Sequence, residues 1–346
     1  MAIITIIGAG MMGSGMSRPA RDNGHEVRLV GTPLDRDIIS EASISGKHIP
    51  MKRNLPDGIK YFQIEDVKTA LDGCDLIICG VSSFGVEWFS TEILPILPEG
   101  IPVLSVTKGV YEKDDGSLQY FPEFLTESLP AEKKGKISFN AIGGPCTSYE
   151  LMDRHQTMVF FCGKDQKTLE YLRSLLETDY YHIGTSTDIA GVEMCVALKN
   201  AYAVAVSMAI GLGEKIDGAD AYMYNPQAAV FGQSIREMSR LVRLFGGNPA
   251  YAGDLPGAGD LFVTIFGGRT RKLGVLLGLG KSYAEASKEL QGVTLESVVI
   301  ITRMSRALRR MAAEGKIDLA DYQLILFLDS VINAGAPADF PWEKFR

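Results

Sequence analysis

Lys199 and Asn200 interrupt an otherwise apolar run, Cys195-Val196-Ala197-Leu198-Lys199-Asn200-Ala201-Tyr202-Ala203-Val204. An ammonium among apolar neighbours is costly unless it is paired. A lysine can snorkel its head to solvent, but here apolar residues surround it on every face of the helix the run predicts. A buried lysine also shifts its pKa readily, which suits proton transfer. A carboxylate to pair with it stands in the glycine-flanked turn Gly257-Ala258-Gly259-Asp260-Leu261. Next comes Phe266-Gly267-Gly268-Arg269-Thr270-Arg271-Lys272. Two glycines before a guanidinium and a hydroxyl are the makings of an oxyanion or phosphate site. A surface loop is the plainer reading of either segment alone. Beside a dinucleotide site and a buried lysine, the two read as parts of one site.

The dinucleotide site is Gly8-Ala9-Gly10-Met11-Met12-Gly13, directly after the apolar opening Ile3–Ile7. It matches G-x-G-x-x-G in the required place, between a strand and helix-forming residues. Gly8 makes the tight turn, Gly10 lets a pyrophosphate approach the backbone, and Gly13 lets the helix pack close to the strand. The N–H groups of Met11 and Met12 at the helix start then face the phosphates. After the second strand comes Gly31-Thr32-Pro33-Leu34. Enzymes that select NAD place an acid there to bind the ribose 2′-OH. Thr32 stands in its stead, and Pro33 is expected to turn the chain before Asp35 and Asp37. The cofactor is therefore NAD or NADP, with NADPH used at least comparably to NADH.

The elements that must carry these residues are legible as a pattern. Ile3–Ile7, Val27–Val30, Leu76–Cys79 and Val103–Val106 are short, apolar and rich in β-branched residues, and helical segments such as Asp66–Leu71 and Val86–Leu94 lie between them. That alternation predicts a mostly parallel, doubly wound sheet, an α/β Rossmann domain. Further strands are expected at Ile137–Ile142, Thr157–Phe161 and Tyr180–Ile183. Ligands collect at the carboxyl ends of such strands. There stand Val81-Ser82-Ser83-Phe84, Thr107-Lys108-Gly109 and Gly143-Gly144-Pro145-Cys146-Thr147-Ser148. From about Asp188 the strands give way to helical patterns: Val192–Leu212, Pro226–Leu244, Leu273–Leu279 and Val298–Glu314. The expected organisation is a Rossmann domain over 1–187 and an all-α substrate domain over 188–346.

Composition narrows the function class. With 346 residues, 46% hydrophobic and 22% charged, the chain has material for two cores. A net charge of −7 argues against a phosphate backbone as partner. Five scattered cysteines without C-x-x-C suggest neither zinc nor a disulfide framework, and fit reduced thiols in the cytoplasm. His25, His48, His155 and His182 offer no clustered metal ligands, so none is expected. Ala201–Leu212 reads as too short and interrupted to span a bilayer. The expected partner is a small phosphorylated substrate; a homodimer is allowed, and no nucleic acid or integral membrane segment is expected.

These residues together resemble the NAD(P)-dependent glycerol-3-phosphate dehydrogenases over nearly the whole chain. The resemblance rests on the Gly-Ala-Gly-Met-Met-Gly loop, Val81-Ser82-Ser83, Lys108-Gly109, Gly144-Pro145, Ala197-Leu198-Lys199-Asn200, Gly257-Ala258-Gly259-Asp260-Leu261 and Gly268-Arg269. It implies reversible reduction of dihydroxyacetone phosphate to sn-glycerol 3-phosphate. It implies that Lys199 is the catalytic acid/base, that Asp260 supports it and the substrate hydroxyls, and that Arg269 meets the substrate phosphate. Lys108, Gly144, Cys146, Asn200, Gly268 and Thr270 complete the expected substrate side. Thr32, Ser82, Phe84, Lys108, Ser148, Arg269 and Glu296 join the glycine loop as expected cofactor contacts. The chain departs from the family at Cys146, where serine is usual, at Ser148, where alanine is usual, and at Thr270, where asparagine is usual. A related 3-hydroxyacid or 6-phosphogluconate-type dehydrogenase is the nearest alternative. Those enzymes share a lysine with an asparagine several residues later; here Asn200 follows at once and position 203 is alanine. A non-catalytic NAD(P)-sensing regulator would need the loop without Lys199, Asp260 and Arg269.

Overall fold

The structure, a computed structural model, describes residues 1–218, 223–290 and 295–345. By its internal contacts the chain forms two units, Met1–Lys108 with Tyr120–Ile189, and Gly109–Gln119 with Ala190–Arg346.

The first unit is built on strands β1 (Ile3–Ile7), β2 (Glu26–Val30), β5 (Lys60–Phe62), β6 (Leu76–Cys79), β7 (Val103–Ser105), β10 (Phe139–Gly143), β11 (Thr157–Cys162) and β12 (Tyr181–Ser186). They form one sheet in the order β12-β11-β10-β7-β6-β1-β2-β5. All neighbours are parallel except β10 and β11, so the last two strands run against the other six. The central strands are apolar on both faces because helices cover both. β6 is wholly buried, and so is β1 apart from half-buried Ile3. The one polar residue inside β1, Thr5, donates its hydroxyl to the Ala70 carbonyl at 2.6 Å. The helices of this unit are α1 (Met11–Gly15), α2 (Ser17–Asp22), α3 (Arg36–Ser45), α4 (Val67–Leu71), α5 (Val86–Trp88), α6 (Phe121–Glu127), α7 (Ser148–Met152) and α8 (Gln166–Leu176). In α8, Asp165 caps the first turn by accepting the Thr168 N–H, and Leu169, Leu172, Leu175 and Leu176 make the buried stripe. A small ribbon, β3 (Lys47–His48) with β4 (Arg53–Asn54), lies between α3 and β5. The ribbon and β5 escape sequence reading: they are two or three residues long and mostly exposed or half-buried.

Among its described residues the second unit is helical apart from a two-stranded ribbon, β8 (Val110–Glu112) and β9 (Leu118–Tyr120), whose last residue, Tyr120, groups with the first unit. By internal contacts, residues 109–119 group with the helices that follow Ala190. Its helices include α9 (Ile189–Asp217), α10 (Tyr224–Leu244), α11 (Asp260–Thr264), α12 (Gly268–Gly278), α13 (Tyr283–Glu289), α14 (Glu296–Ala313) and α15 (Gln323–Asn333). The apolar stretch read as interrupted is part of an unbroken helix of 29 residues, the one described helix long and apolar enough to cross a membrane. Burial, not brevity, sets it apart: 83% of its most apolar window is inside the protein. Small residues bring α12 hard against α9. A methyl group on Gly274 would lie 2.5 Å from the Val204 carbonyl oxygen, and one on Gly278 2.2 Å from that of Met208. Arg303 of α14 donates to the Val110 carbonyl, and Arg306 pairs with Glu112 at 2.8 Å, tying the ribbon to the unit.

Candidate active site

In the first unit the sheet reverses winding at β1, which has β2 on one side and β6 on the other. The loops leaving β1 and β6 meet there. Gly8 has φ +110°, and a Cβ on it would lie 2.7 Å from the Gly80 carbonyl carbon. A Cβ on Gly13 would lie 2.3 Å from the Gly8 carbonyl oxygen. Only hydrogens fit at either place. The result is a cavity of about 430 Å³ bounded by Gly8, Gly10, Thr32, Pro33, Leu34, Asp35, Gly80, Val81, Ser82, Phe84, Gly85 and Trp88. Four expected residues, Gly8, Gly10, Thr32, Ser82, and a fifth, Phe84, thus share one wall system. Gly80, Asp35 and Trp88 join them unannounced by the motif.

The reading of the second loop needs correction. Pro33 does not carry the chain away from Asp35. The Asp35 carboxylate returns to the glycine loop, accepting the N–H of Ala9 at 3.1 Å, the N–H of Thr32 at 2.9 Å and the Thr32 hydroxyl at 2.7 Å. An acid does stand at the end of the second strand, and the Thr32 hydroxyl is spent on it. A Thr-x-x-Asp spacing after the strand was the available signal.

Lys108 is half-buried and donates to the Gly144 carbonyl at 3.2 Å. Gly144 has φ +129°, and a Cβ on it would lie 3.1 Å from Val159 Cα. Cys146 is half-buried against the core of this unit, as are Met11 and Met12. Ser148 is buried at the start of a short helix, Ser148–Met152, beside Gly15 of α1. None of the five cysteines is in a disulfide, and burial pushes the thiols of Cys74 and Cys79 up to about 11 and about 12.

In the second unit the structure joins Lys199 to Asp260. Lys199 is 8% exposed and Asp260 1%. The ammonium donates to Asp260 Oδ1 at 3.0 Å and to Thr264 Oγ1 at 2.8 Å. Thr264 in turn donates its hydroxyl to the Asp260 carbonyl at 2.6 Å. The wide turn Leu255–Gly259 delivers Asp260 to the head of α11, and Thr264 follows one turn on. Sequence reasoning misses Thr264, although its i,i+4 spacing from Asp260 was visible. Asn200 is half-buried on α9, directly after Lys199. Gly267 and Gly268 open α12, which leaves exposed Arg269 and half-buried Thr270 in its first turn, where backbone N–H groups lack helical partners. Glu296 begins α14. Among the described residues no three His, Cys, Asp or Glu side chains come together to hold a metal ion.

A glycine-walled cavity at the switch of a doubly wound sheet, in a chain that also buries a lysine on a carboxylate, is the equipment of a dinucleotide-dependent oxidoreductase. Comparison with known proteins narrows the class. The N-terminal model of the NAD-dependent glycerol-3-phosphate dehydrogenases matches residues 3–169, and the C-terminal model matches residues 188–338. An NADP(+)-dependent glycerol-3-phosphate dehydrogenase of Archaeoglobus fulgidus is 34% identical over 289 residues, 84% of either chain. A glycerol-3-phosphate dehydrogenase [NAD(P)+] of Lactococcus lactis is 30% identical over 301 residues, 85% of this chain and 82% of that one. In fold, the glycerol-3-phosphate dehydrogenase of Coxiella burnetii superimposes with a TM-score of 0.80 at 23% identity, covering 97% of this chain and 96% of that one. The chain belongs to the NAD-dependent glycerol-3-phosphate dehydrogenase family.

Proposed function

We propose that this chain interconverts dihydroxyacetone phosphate and sn-glycerol 3-phosphate. The observation that carries the reading is the buried Lys199 ammonium, 3.0 Å from Asp260 and 2.8 Å from Thr264. The cavity of the first unit suits the dinucleotide, because the glycine walls leave backbone where a side chain would block a pyrophosphate. Bound there, NADH or NADPH supplies the hydride. Lys199 stabilises the charge that grows on the ketone oxygen and gives that oxygen its proton. In the reverse direction it takes the hydroxyl proton back. Asp260 and Thr264 hold the ammonium in place so that it need not reorganise. Arg269, with the N–H groups at the head of α12, binds the substrate phosphate, and that remote binding orients the ketone. Lys108, Gly144, Cys146, Asn200, Gly268 and Thr270 serve the substrate side, and Met11, Met12, Ser82, Phe84, Ser148 and Glu296 the cofactor side. The same reading makes the enzyme cytoplasmic. Steady-state oxidation of NADH and NADPH with a panel of phosphorylated and plain ketones tests it; no turnover of dihydroxyacetone phosphate with either cofactor overturns it.

Two outcomes follow from named residues. Arg269→Ala lowers kcat/KM for dihydroxyacetone phosphate by about 30-fold and for unphosphorylated dihydroxyacetone by less than about threefold, the loss expected for one charge-assisted contact. Equal losses on the two ketones remove Arg269 from the phosphate. For the cofactor, we propose that both dinucleotides serve, with NADPH at least comparable. Three neutral donors tie Asp35 Oδ2 to the glycine loop and Thr32 and leave the carboxylate its charge, while the relative from Archaeoglobus fulgidus is named as NADP(+)-dependent. Asp35→Asn therefore shifts the NADPH/NADH ratio of kcat/KM further toward NADPH, by about threefold. A preference of the unaltered chain for NADH above about 100-fold, roughly 2.7 kcal/mol, refutes comparable use.

A further inference from the structure

The Ala9 peptide groups lie inside the glycine loop, yet neither polar atom of Ala9 is available to a ligand. Its N–H goes to Asp35 Oδ2 at 3.1 Å, and its carbonyl faces His48 Nε2 at 2.8 Å. His48 is completely buried, and its Nδ1 accepts the N–H of Met51 at 3.1 Å. That second bond decides the tautomer. Nδ1 carries the lone pair, so Nε2 carries the hydrogen and donates it to Ala9. Burial works in the same direction, holding the imidazole pKa below its ordinary value and the ring neutral. The ribbon that carries His48 is itself fastened, for Arg53 pairs with Asp153 at 3.0 Å.

The need for such a clamp follows from the neighbours. Ala9 stands between two glycines, the residues least able to hold a peptide plane by their own sterics. A flip of the Ala9–Gly10 peptide would turn a carbonyl oxygen toward the phosphates and an N–H away from them. We propose that His48 is a positioning residue for dinucleotide binding, clamping the Ala9 carbonyl while Asp35 holds the Ala9 N–H, so that the amides from Gly10 onward meet the pyrophosphate already aligned. The proposal rests on the reading of this cavity as the NAD(P) site. Preorganisation of this sort lowers the entropy lost on binding and leaves the chemical step untouched.

Two amide replacements separate the clamp from mere packing. His48→Gln can still reach the Ala9 carbonyl with its terminal NH2. His48→Asn keeps an acceptor for Met51 but is too short to reach Ala9. Dissociation constants for NADH and NADPH are measured directly, without any ketone. His48→Asn weakens both by about tenfold and His48→Gln by less than about threefold, the difference one hydrogen bond makes. For both variants kcat at saturating cofactor stays at the parent value. Equal affinities in the two variants overturn the clamp and leave the functional reading standing. A parent chain that binds neither dinucleotide overturns both. Should either variant fail to fold, the His48 ring of the unliganded parent decides. A slowly exchanging Nε2 hydrogen with a bare Nδ1, read from the imidazole nitrogen and proton resonances, is expected of a ring that donates to the Ala9 carbonyl and accepts from Met51, and an Nδ1-protonated ring or a freely exchanging Nε2 hydrogen overturns the proposal.

Discussion

Lys199→Ala lowers kcat by at least about 100-fold while the dissociation constant for NADH or NADPH stays within about threefold of the parent, the signature of a lost proton donor. The ammonium is held by a carboxylate and a hydroxyl from one short helix, α11, and all three groups are in one unit. The glycine cavity is assembled wholly from the other unit, so the substitution leaves it intact. Removing Lys199 also takes the ammonium away from Asp260, a carboxylate only 1% exposed. A buried carboxylate in that state costs several kcal/mol of stability. Activity is therefore read on protein shown to be folded by its unfolding temperature, and Lys199→Met serves as a bulkier companion. Methylammonium added to Lys199→Ala restores part of kcat in proportion to its concentration. A kcat within a factor of a few of the parent takes Lys199 out of the mechanism.

Glu237 gives the second large effect, on stability. It is fully buried on α10, and its carboxylate accepts from Leu324 N–H at 2.6 Å, Ile325 N–H at 3.1 Å, Gln233 at 3.0 Å and the Tyr202 hydroxyl at 3.3 Å. Two of those donors are the opening amides of α15, which no side chain of its own caps. Glu237→Ala strands four buried donors and destabilises the chain by about 3 kcal/mol. Burial pushes the carboxyl up to about 7 from an ordinary 4.5, against the pull of its donors. A raised folded-state value means that the fold holds the proton more tightly than the unfolded chain does. The associated stability is fully present below about pH 4.5 and is lost as the pH rises through about 7, some 3 kcal/mol in all. His25 and His48, both held below their ordinary values by burial, act in the opposite sense over part of that range. The clean observable is the difference in unfolding free energy between the parent and Glu237→Gln, in which shared titrations cancel. The parent's advantage shrinks by about 3 kcal/mol from pH 4.5 to 7.5. A flat difference curve refutes the shift.

The parts of this molecule that could be read beforehand are those whose physics is local. β1 and the glycine loop lie within thirteen residues, and each glycine answers to a steric demand inside that stretch. Lys199 was conspicuous because its neighbours are apolar. What stayed hidden depends on distant partners. Nothing around Asp35 tells that its carboxylate folds back on Ala9, 26 residues away. Gly80 is a small residue after a strand until the Gly8 backbone is seen against it. β5 carries Lys60, Tyr61 and Phe62, an exposed edge with no alternation long enough to register. The reversal of β11 against β10 leaves no mark on either strand's composition: β10 is wholly buried, and β11 is apolar even at exposed Met158.

The ribbon at 110–120 has a consequence for how the chain is made. Its side of the contact emerges from the ribosome early, but Arg303 and Arg306 follow 193 and 194 residues later. The second unit is not one contiguous stretch of sequence: residues 109–119 fall between the two parts of the first unit, and that early piece waits for α14. Contacts of such separation close slowly, because the entropy of the intervening loop is lost before any packing compensates for it. A fragment beginning at residue 190 would expose the α14 arginines without Glu112 and would not be a complete folding unit. The helical unit cannot be complete until α14 has been made.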